Sequence, residues 1–203
     1  MKIICVGRNY TEHAKELNNP VPDEPVIFMK PDTALLQKRL PFFLPSFSSE
    51  IHHEVELVIR IGRLGKNIDE KFAHKYYDEI TVGIDFTARD IQNKCKTKSL
   101  PWELAKAFDG SAPVGKFIAK DSIPDLKNLN FHLDINGTTV QKGNSRDQIF
   151  YFDKLISFVS KYFTLKIGDL IFTGTPAGVG PVKTGDHLKA FIEDKKLLEL
   201  DIK

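Results

Sequence analysis

The chain has 203 residues, 41% hydrophobic and 28% charged, a globular composition rather than a disordered or low-complexity one. At roughly 150 residues per domain it reads as one domain, 1–203. Its 29 basic and 27 acidic side chains leave a net charge of +2, which gives no electrostatic case for nucleic acid or an anionic membrane as partner.

The start, MKIICVGRNY, turns polar too soon for a signal peptide. The longest uncharged stretch, Leu170 to Val182, is shorter than the about 20 apolar residues of a membrane helix and is broken by glycine and proline. Cys5 and Cys95 are too few for a disulfide scaffold and read as reduced, buried thiols of a cytoplasmic protein. Lys2 to Val6 is a short β-rich run. GRNYTEHAKEL then sets His13 and Glu16 three apart on a helical turn. A histidine oriented by a carboxylate takes a proton from water near neutral pH, although such pairs are also ordinary helix-surface contacts. Asn18 to Glu24 is rich in Pro, Asn and Asp, so residues 12–24 read as a segment able to move as a lid. Leu40 to Ser49 carries two prolines among aromatics and suits a loop covering a core edge or a partner subunit.

Ile51 to Ile61 alternates as one strand. Ile51, His53, Val55, Leu57, Ile59 and Ile61 form its apolar face. His52, Glu54, Glu56, Val58 and Arg60 form the other, for which a solvated outer surface is the plainer expectation. Ile80 to Asp85 is a strand running into a helix from Thr87, with Asp90 as a weak capping-box partner. Lys106 lies in a helical stretch that breaks at Asp109-Gly110. Asn136-Gly137, between alternating runs, is the strongest hairpin signal. Asp153 to Phe163 is an amphipathic helix with Leu155, Ile156, Val159 and Tyr162 on one side. Asp169 to Thr173 is a strand leading into a glycine-rich turn, and His187 to Glu193 with Lys196 to Ile202 makes a closing hairpin. Many short strands and few helices indicate a mainly β, α+β fold, a mixed sandwich or roll.

Two glutamates two apart in a strand point the same way, about 7 Å apart, and repel unless something positive stands between them. Asp85, at the end of another strand, is placed to join them. Three carboxylates without cysteine make a hard oxygen site for Mg²⁺, Mn²⁺ or Ca²⁺. Arg89 and Gln92 share a helix face, and a cation such as Lys106 near a metal is able to hold a substrate carboxylate. In TGTPAGVGPV, glycines let backbone N–H groups approach an anion, but no G-K-[ST] ending or following helix makes it a P-loop.

Taken together, GRNYTEHAKEL, HHEVELVIRIG, DFTARDIQ, LPWELAKAFDGSAPVG, INGTTVQ and FTGTPAGVGPV resemble the fumarylacetoacetate hydrolase family, and its short members above all: acylpyruvases, oxaloacetate decarboxylases and hydroxy-dienedioate isomerases. The resemblance implies a β-sandwich roll of that family's C-terminal-domain type, a homodimer, and a Mg²⁺ or Mn²⁺ site, with Ca²⁺ as a substitute. It makes Glu54, Glu56 and Asp85 the metal ligands. Arg89, Gln92 and Thr175 would bind substrate, and His13, Glu16 and Lys106 would be catalytic. The implied substrate is a small 2-oxo or 2,4-dioxo acid. With the His13–Glu16 pair complete, the expected reaction is metal-dependent hydrolysis of an acylpyruvate to pyruvate and a carboxylic acid, with oxaloacetate decarboxylation beside it. The alternatives are an isomerase or tautomerase of 2-hydroxyhepta-2,4-diene-1,7-dioate or hydroxymuconate type, and a catalytically silent carboxylate-binding protein on the same fold.

Overall fold

The computed structural model describes residues 1–11, 22–37 and 40–203. Its strands are β1 (Ile3–Val6), β2 (Ile27–Lys30), β3 (Ile51–His53), β4 (Val55–Ile61), β5 (Tyr77–Ile84), β6 (Thr87–Ala88), β7 (Ile118–Ala119), β8 (Asn130–Ile135), β9 (Thr138–Asn144), β10 (Leu170–Phe172), β11 (Gly180–Pro181), β12 (His187–Ile192) and β13 (Lys195–Asp201). Three α-helices lie wholly within the described residues: α1 (Arg89–Thr97), α2 (Glu103–Lys106) and α3 (Phe152–Tyr162). The strands form a six-stranded sheet in the order β2-β1-β10-β4-β5-β7, a four-stranded sheet β13-β12-β8-β9 and a three-stranded sheet β11-β3-β6. The fold is mainly β with short helices, as the strand-rich pattern predicts.

The central strand β4 has no solvated face. Val55, Leu57, Ile59 and Ile61 pack with β5 against Phe131 and Leu133 of β8 and Leu188 and Ala190 of β12. That is the apolar face read from the alternation. On the other face, Val58 is buried with Ile3, Cys5, Leu170 and Phe172, beneath Ala34 and Ala112 of two covering loops. The expectation of an exposed outer face is therefore wrong for Glu54 and Glu56, which are 6% and 1% exposed. The covering segments are distant in sequence, so the alternation of this strand alone could not reveal them. The run Ile51 to Ile61 is also not one strand. It breaks at Glu54, where the chain passes from the three-stranded to the six-stranded sheet.

Local expectations hold where local chemistry decides. Asn136 and Gly137 take φ of 53° and 81°, the left-handed pair of a type I′ turn joining β8 to β9. Helix α3 buries Leu155, Ile156 and Val159, but Tyr162 projects into solvent. The capping box does not form. Ala88 is the N-cap of α1, and Asp90 instead accepts hydrogen bonds from Ser48 and Ser49. In the loop 40–49, Phe42 is buried and stacked on Phe86 at 4.1 Å between ring centroids, so the loop covers a core edge, while Phe43 and Phe47 stay exposed. Among the described residues, no helix is long and apolar enough to cross a membrane.

Asp169 ties the start of the chain to the turn before β10. Its buried carboxylate accepts the Lys2 and Lys166 amides at 2.8 Å each and pairs with the Lys2 ammonium. Burial alone would raise its pKa, but these bonds hold it below the ordinary aspartate value. A depressed acid pKa contributes stability that is complete above the unfolded value and is lost as pH falls through the folded one. Asp169→Asn is expected to cost about 1–3 kcal/mol at neutral pH. In denaturant melts, its deficit relative to the parent should shrink below about pH 4.

Candidate active site

The backbone brings the three predicted carboxylates together. Glu54 sits at the break between β3 and β4, Glu56 one residue inside β4, and Asp85 directly after β5. The Asp85 N–H donates to the Glu54 carbonyl at 2.9 Å, which ties the two strand ends together. One carboxylate oxygen from each of Glu54, Glu56 and Asp85 lies within 4.8 Å of the others, and all three residues are buried.

Three cations face them. Lys106, the last residue of α2, donates from Nζ to Glu54 Oε2 (2.8 Å), Asp85 Oδ2 (2.7 Å) and Thr87 Oγ1 (2.6 Å). Those bonds use all three ammonium donors. Burial would lower its pKa, but Asp85 and Glu54 raise it above the ordinary lysine value, so Lys106 is charged. Arg89, the first residue of α1, donates to Glu54 Oε1 and to Gln92 Oε1 at 2.6 Å each, and its Nε to His52 at 3.3 Å. Lys30, at the end of β2, is wholly buried. Its Nζ lies 2.7 Å from Asp85 Oδ1 and donates to the Lys106 carbonyl and to Ser111.

Glu56 differs from the other two. Its recorded hydrogen bond comes from the Gly174 amide, at 2.7 Å to Oε2, and no ion pair to it occurs among the described residues. Burial, then the charges of Asp85 and Glu54, raise its pKa well above the usual carboxylate value. The glycine-rich loop thus turns an amide toward an anion, and the anion is the protein's own glutamate. Gly174 holds φ of 98°, and a Cβ there would come within 2.6 Å of Asn9, so only glycine fits.

A divalent cation fits this donor set. Three hard oxygens converge, and the carboxylate least served by cations is the one whose ionised form is disfavoured by its like-charged neighbours. Lys106 stands between Glu54 and Asp85, so an ion bound to all three carboxylates must share or displace its contacts.

Arg89, Gln92 and Lys106 line one cleft with Glu54, which brings together these residues expected at the substrate. Thr175 does not join them. Its hydroxyl donates to the Val55 carbonyl at 2.8 Å and accepts from Gln141 at 2.6 Å. The hydroxyl proton is committed, so Thr175 anchors the loop. His13, Glu16 and residues 12–21 of the expected lid lie outside the described residues.

Sequence reasoning missed the supports. Lys30 ends an otherwise apolar strand, and only a buried carboxylate reveals why. Gln141 reaches across from β9. Its Oε1 accepts the Val55 amide (3.0 Å) and the His53 Nδ1 hydrogen (3.1 Å), and its Nε2 donates to Thr175 and Pro176. Asn9 likewise clamps Phe150 and Thr173. Lys30 is a single polar residue beside apolar ones, Asn9 lies in a loop, and Gln141 is one polar residue among several on its strand, so none carries a periodic signal.

A family model described as fumarylacetoacetate (FAA) hydrolase C-terminal matches residues 2–203. The chain belongs to the fumarylacetoacetate hydrolase family. It is 44% identical over 201 residues to a mitochondrial oxaloacetate tautomerase of Mus musculus, covering 99% of this chain and 91% of the relative. It is 49% identical over 192 residues to a mitochondrial oxaloacetate decarboxylase of Dictyostelium discoideum, covering 94% and 88%. Among solved structures it is similar to a fumarylpyruvate hydrolase from Pseudomonas aeruginosa in complex with Mn²⁺ and pyruvate. There the TM-score is 0.93 at 33% identity, with 100% of this chain and 89% of the other covered. The family is one of enzymes, and its fold is the β-rich roll that the resemblance implies.

Lys30→Met should leave Asp85 Oδ1 buried without its cation. The expected cost is about 3 kcal/mol in chemical denaturation, at the low end for a broken buried pair because Lys106 still faces Asp85. Adding Asp85→Asn to Lys30→Met should cost much less than Asp85→Asn alone in the parent. Additive losses would show that the two groups do not interact.

Proposed function

We propose that this chain is a divalent-metal-dependent enzyme that handles the enol or enolate of a small 2-oxo acid, with oxaloacetate as the leading substrate. The observation that carries this reading is the charge count of the buried cluster. Glu54, Glu56 and Asp85 are matched by Lys30, Arg89 and Lys106, so the cluster is neutral when all are ionised. A divalent ion held by the three carboxylates makes it doubly positive. The ligand that restores balance carries two negative charges close together, as the carboxylate and enolate oxygens of an ionised 2-oxo acid do. The ion would supply Lewis acidity toward those oxygens.

The protein side of the chemistry follows from the contacts. Lys106 brings an ammonium to the carboxylates, and its part in this reading is electrostatic: it stabilises negative charge that develops on an enolate oxygen. Arg89 is held by His52, Gln92 and Glu54, so it presents a fixed cation and needs no reorganisation when substrate enters. Lys30 acts from behind by fixing Asp85 and the end of α2. Tautomerisation and decarboxylation both pass through this enolate, in agreement with the names of the two relatives above.

Acylpyruvate hydrolysis is the second reading, supported by the likeness to the fumarylpyruvate hydrolase. It needs an activated water, the work assigned to His13 and Glu16 on a segment that would close over the substrate. Arg89 and Gln92 would hold the oxo acid in both readings. Mg²⁺ or Mn²⁺ fits the oxygen donors equally, and Ca²⁺ could substitute. The same reading carries one catalytic domain over 1–203, a homodimer and a cytoplasmic setting.

The test is an assay of oxaloacetate tautomerisation, oxaloacetate decarboxylation and acetylpyruvate hydrolysis with Mg²⁺, with Mn²⁺ and with excess chelator. Turnover of oxaloacetate should be lost with chelator and restored by the ion. His13→Ala should remove hydrolysis and spare the reactions that need no water. A rate indifferent to chelator, or no turnover of any of these acids, would refute the proposal. Hydrolysis that survives His13→Ala while decarboxylation fails would reverse the division of labour.

A further inference from the structure

The cleft beside the carboxylates holds more positive charge than those carboxylates use. Arg8, Arg89, Lys96 and Lys106 line it, with Glu54 as the one acidic residue of its lining among the described residues. Arg89 and Lys106 are both paired to Glu54. Arg8 and Lys96 form no ion pair among the described residues, and both stand nearer the solvent, Arg8 half-buried and Lys96 exposed.

Their placement is ordered. Arg89, Gln92 and Lys96 fall at i, i+3 and i+7 on α1, so they share one face. Arg89 is buried at its inner end, and Lys96 lies about 10 Å further along the axis. Arg8 follows β1 on the chain side of the same cleft. Trp102 adds an apolar wall to the cleft. It packs on Phe28 with ring centroids 6.0 Å apart and lies so close over Gly7 that a Cβ there would come within 3.2 Å of the indole. The cations feel one another: Lys96 is held below the ordinary lysine value by the partial desolvation of a side chain that still reaches solvent, then by Arg89, with Glu54 opposing and Arg8 and Lys106 adding to it. A cleft with a cationic inner end, an apolar side and outer cations that form no ion pair among the described residues suits a carbon chain with an anion at each end.

We propose that Arg8 and Lys96 form a second anion subsite that takes the distal carboxylate of a dicarboxylic 2-oxo acid. The inference rests on the oxo-acid function proposed above and adds what the site selects. The inner cluster holds the oxo-acid head common to all candidate substrates, and the outer pair distinguishes dicarboxylates from neutral-tailed acids. Such selection works through contacts that one substrate can make and its rival cannot.

The experiment compares oxaloacetate with acetylpyruvate, whose tail is uncharged, in the metal-loaded parent, Lys96→Met, Arg8→Met and Lys96→Arg. For Lys96→Met, KM for oxaloacetate should rise about tenfold, the loss of one charged contact. Its kcat should stay within about twofold, and KM for acetylpyruvate should move less than about threefold. Arg8→Met should behave alike, and Lys96→Arg should recover most of the KM. Equal losses on both substrates, or none on either, would overturn the subsite. Turnover by the parent in the same assay reports on the proposed function separately. If the parent turns over neither acid, calorimetric binding decides the subsite. The parent should bind oxaloacetate more tightly than pyruvate, a preference that Lys96→Met removes, and no preference in the parent would overturn the subsite.

Discussion

The structure is organised around a buried electrostatic constraint. Three carboxylates are taken out of water at the end of the β4–β5 pair, in a sheet whose middle strand is covered on both sides. Each buried ion costs several kcal/mol unless opposite charges and hydrogen bonds replace its hydration. The protein meets this cost with Lys30 beneath Asp85, Lys106 between Asp85 and Glu54, Arg89 on Glu54 and a single amide on Glu56. The cations come from β2, α2 and α1, so three separate elements must dock correctly before any of the carboxylates is satisfied. Glu56 is the least compensated of the three, and its raised pKa is the measure of that. A protein that keeps such a residue at the core of its longest strand pairing gives up stability there, a pattern expected of functional sites.

The same arrangement explains the supporting polar residues. A glycine-rich loop with an amide aimed at Glu56 must be held in place, and Asn9, Gln141 and Thr175 hold it through bonds to the backbone on either side. Gln141 belongs to the four-stranded sheet and Val55 to the six-stranded one, so its amide also links the two sheets across the site. Fold and site are one network here: the bonds that close the sandwich are those that aim the carboxylates.

How much of this the sequence disclosed depended on the range of the physics involved. The Asn136-Gly137 hairpin, the helix through Leu155 and Val159 and the apolar face of Val55 to Ile61 follow from chemistry within a few residues, and they were legible. The capping role of Asp90 was misread because its partners, Ser48 and Ser49, lie more than forty positions away. The burial of Glu54 and Glu56 was misread for the same reason, since the groups that meet them, Arg89, Lys106 and the Gly174 amide, lie far along the chain. Grouping Glu54, Glu56 and Asp85 came from the ordered motifs and agrees with the geometry, whereas Lys30 and Gln141 gave no signal until their partners were in place. The bonds of Thr175 to Val55 and Gln141 likewise become visible only in the fold.

The central claim is that the acidic cluster holds a divalent ion and that Lys106 is a neighbour of that ion rather than its permanent replacement. The most direct measurement is calorimetric titration of chelator-stripped protein with Mn²⁺, comparing the parent with Glu56→Gln at equal folded fraction. The account predicts saturable binding of a single ion per chain in the parent and loss of that binding in Glu56→Gln. A parent that binds no ion, or binding that Glu56→Gln leaves untouched, would contradict it and leave the three carboxylates as a purely structural salt-bridge network.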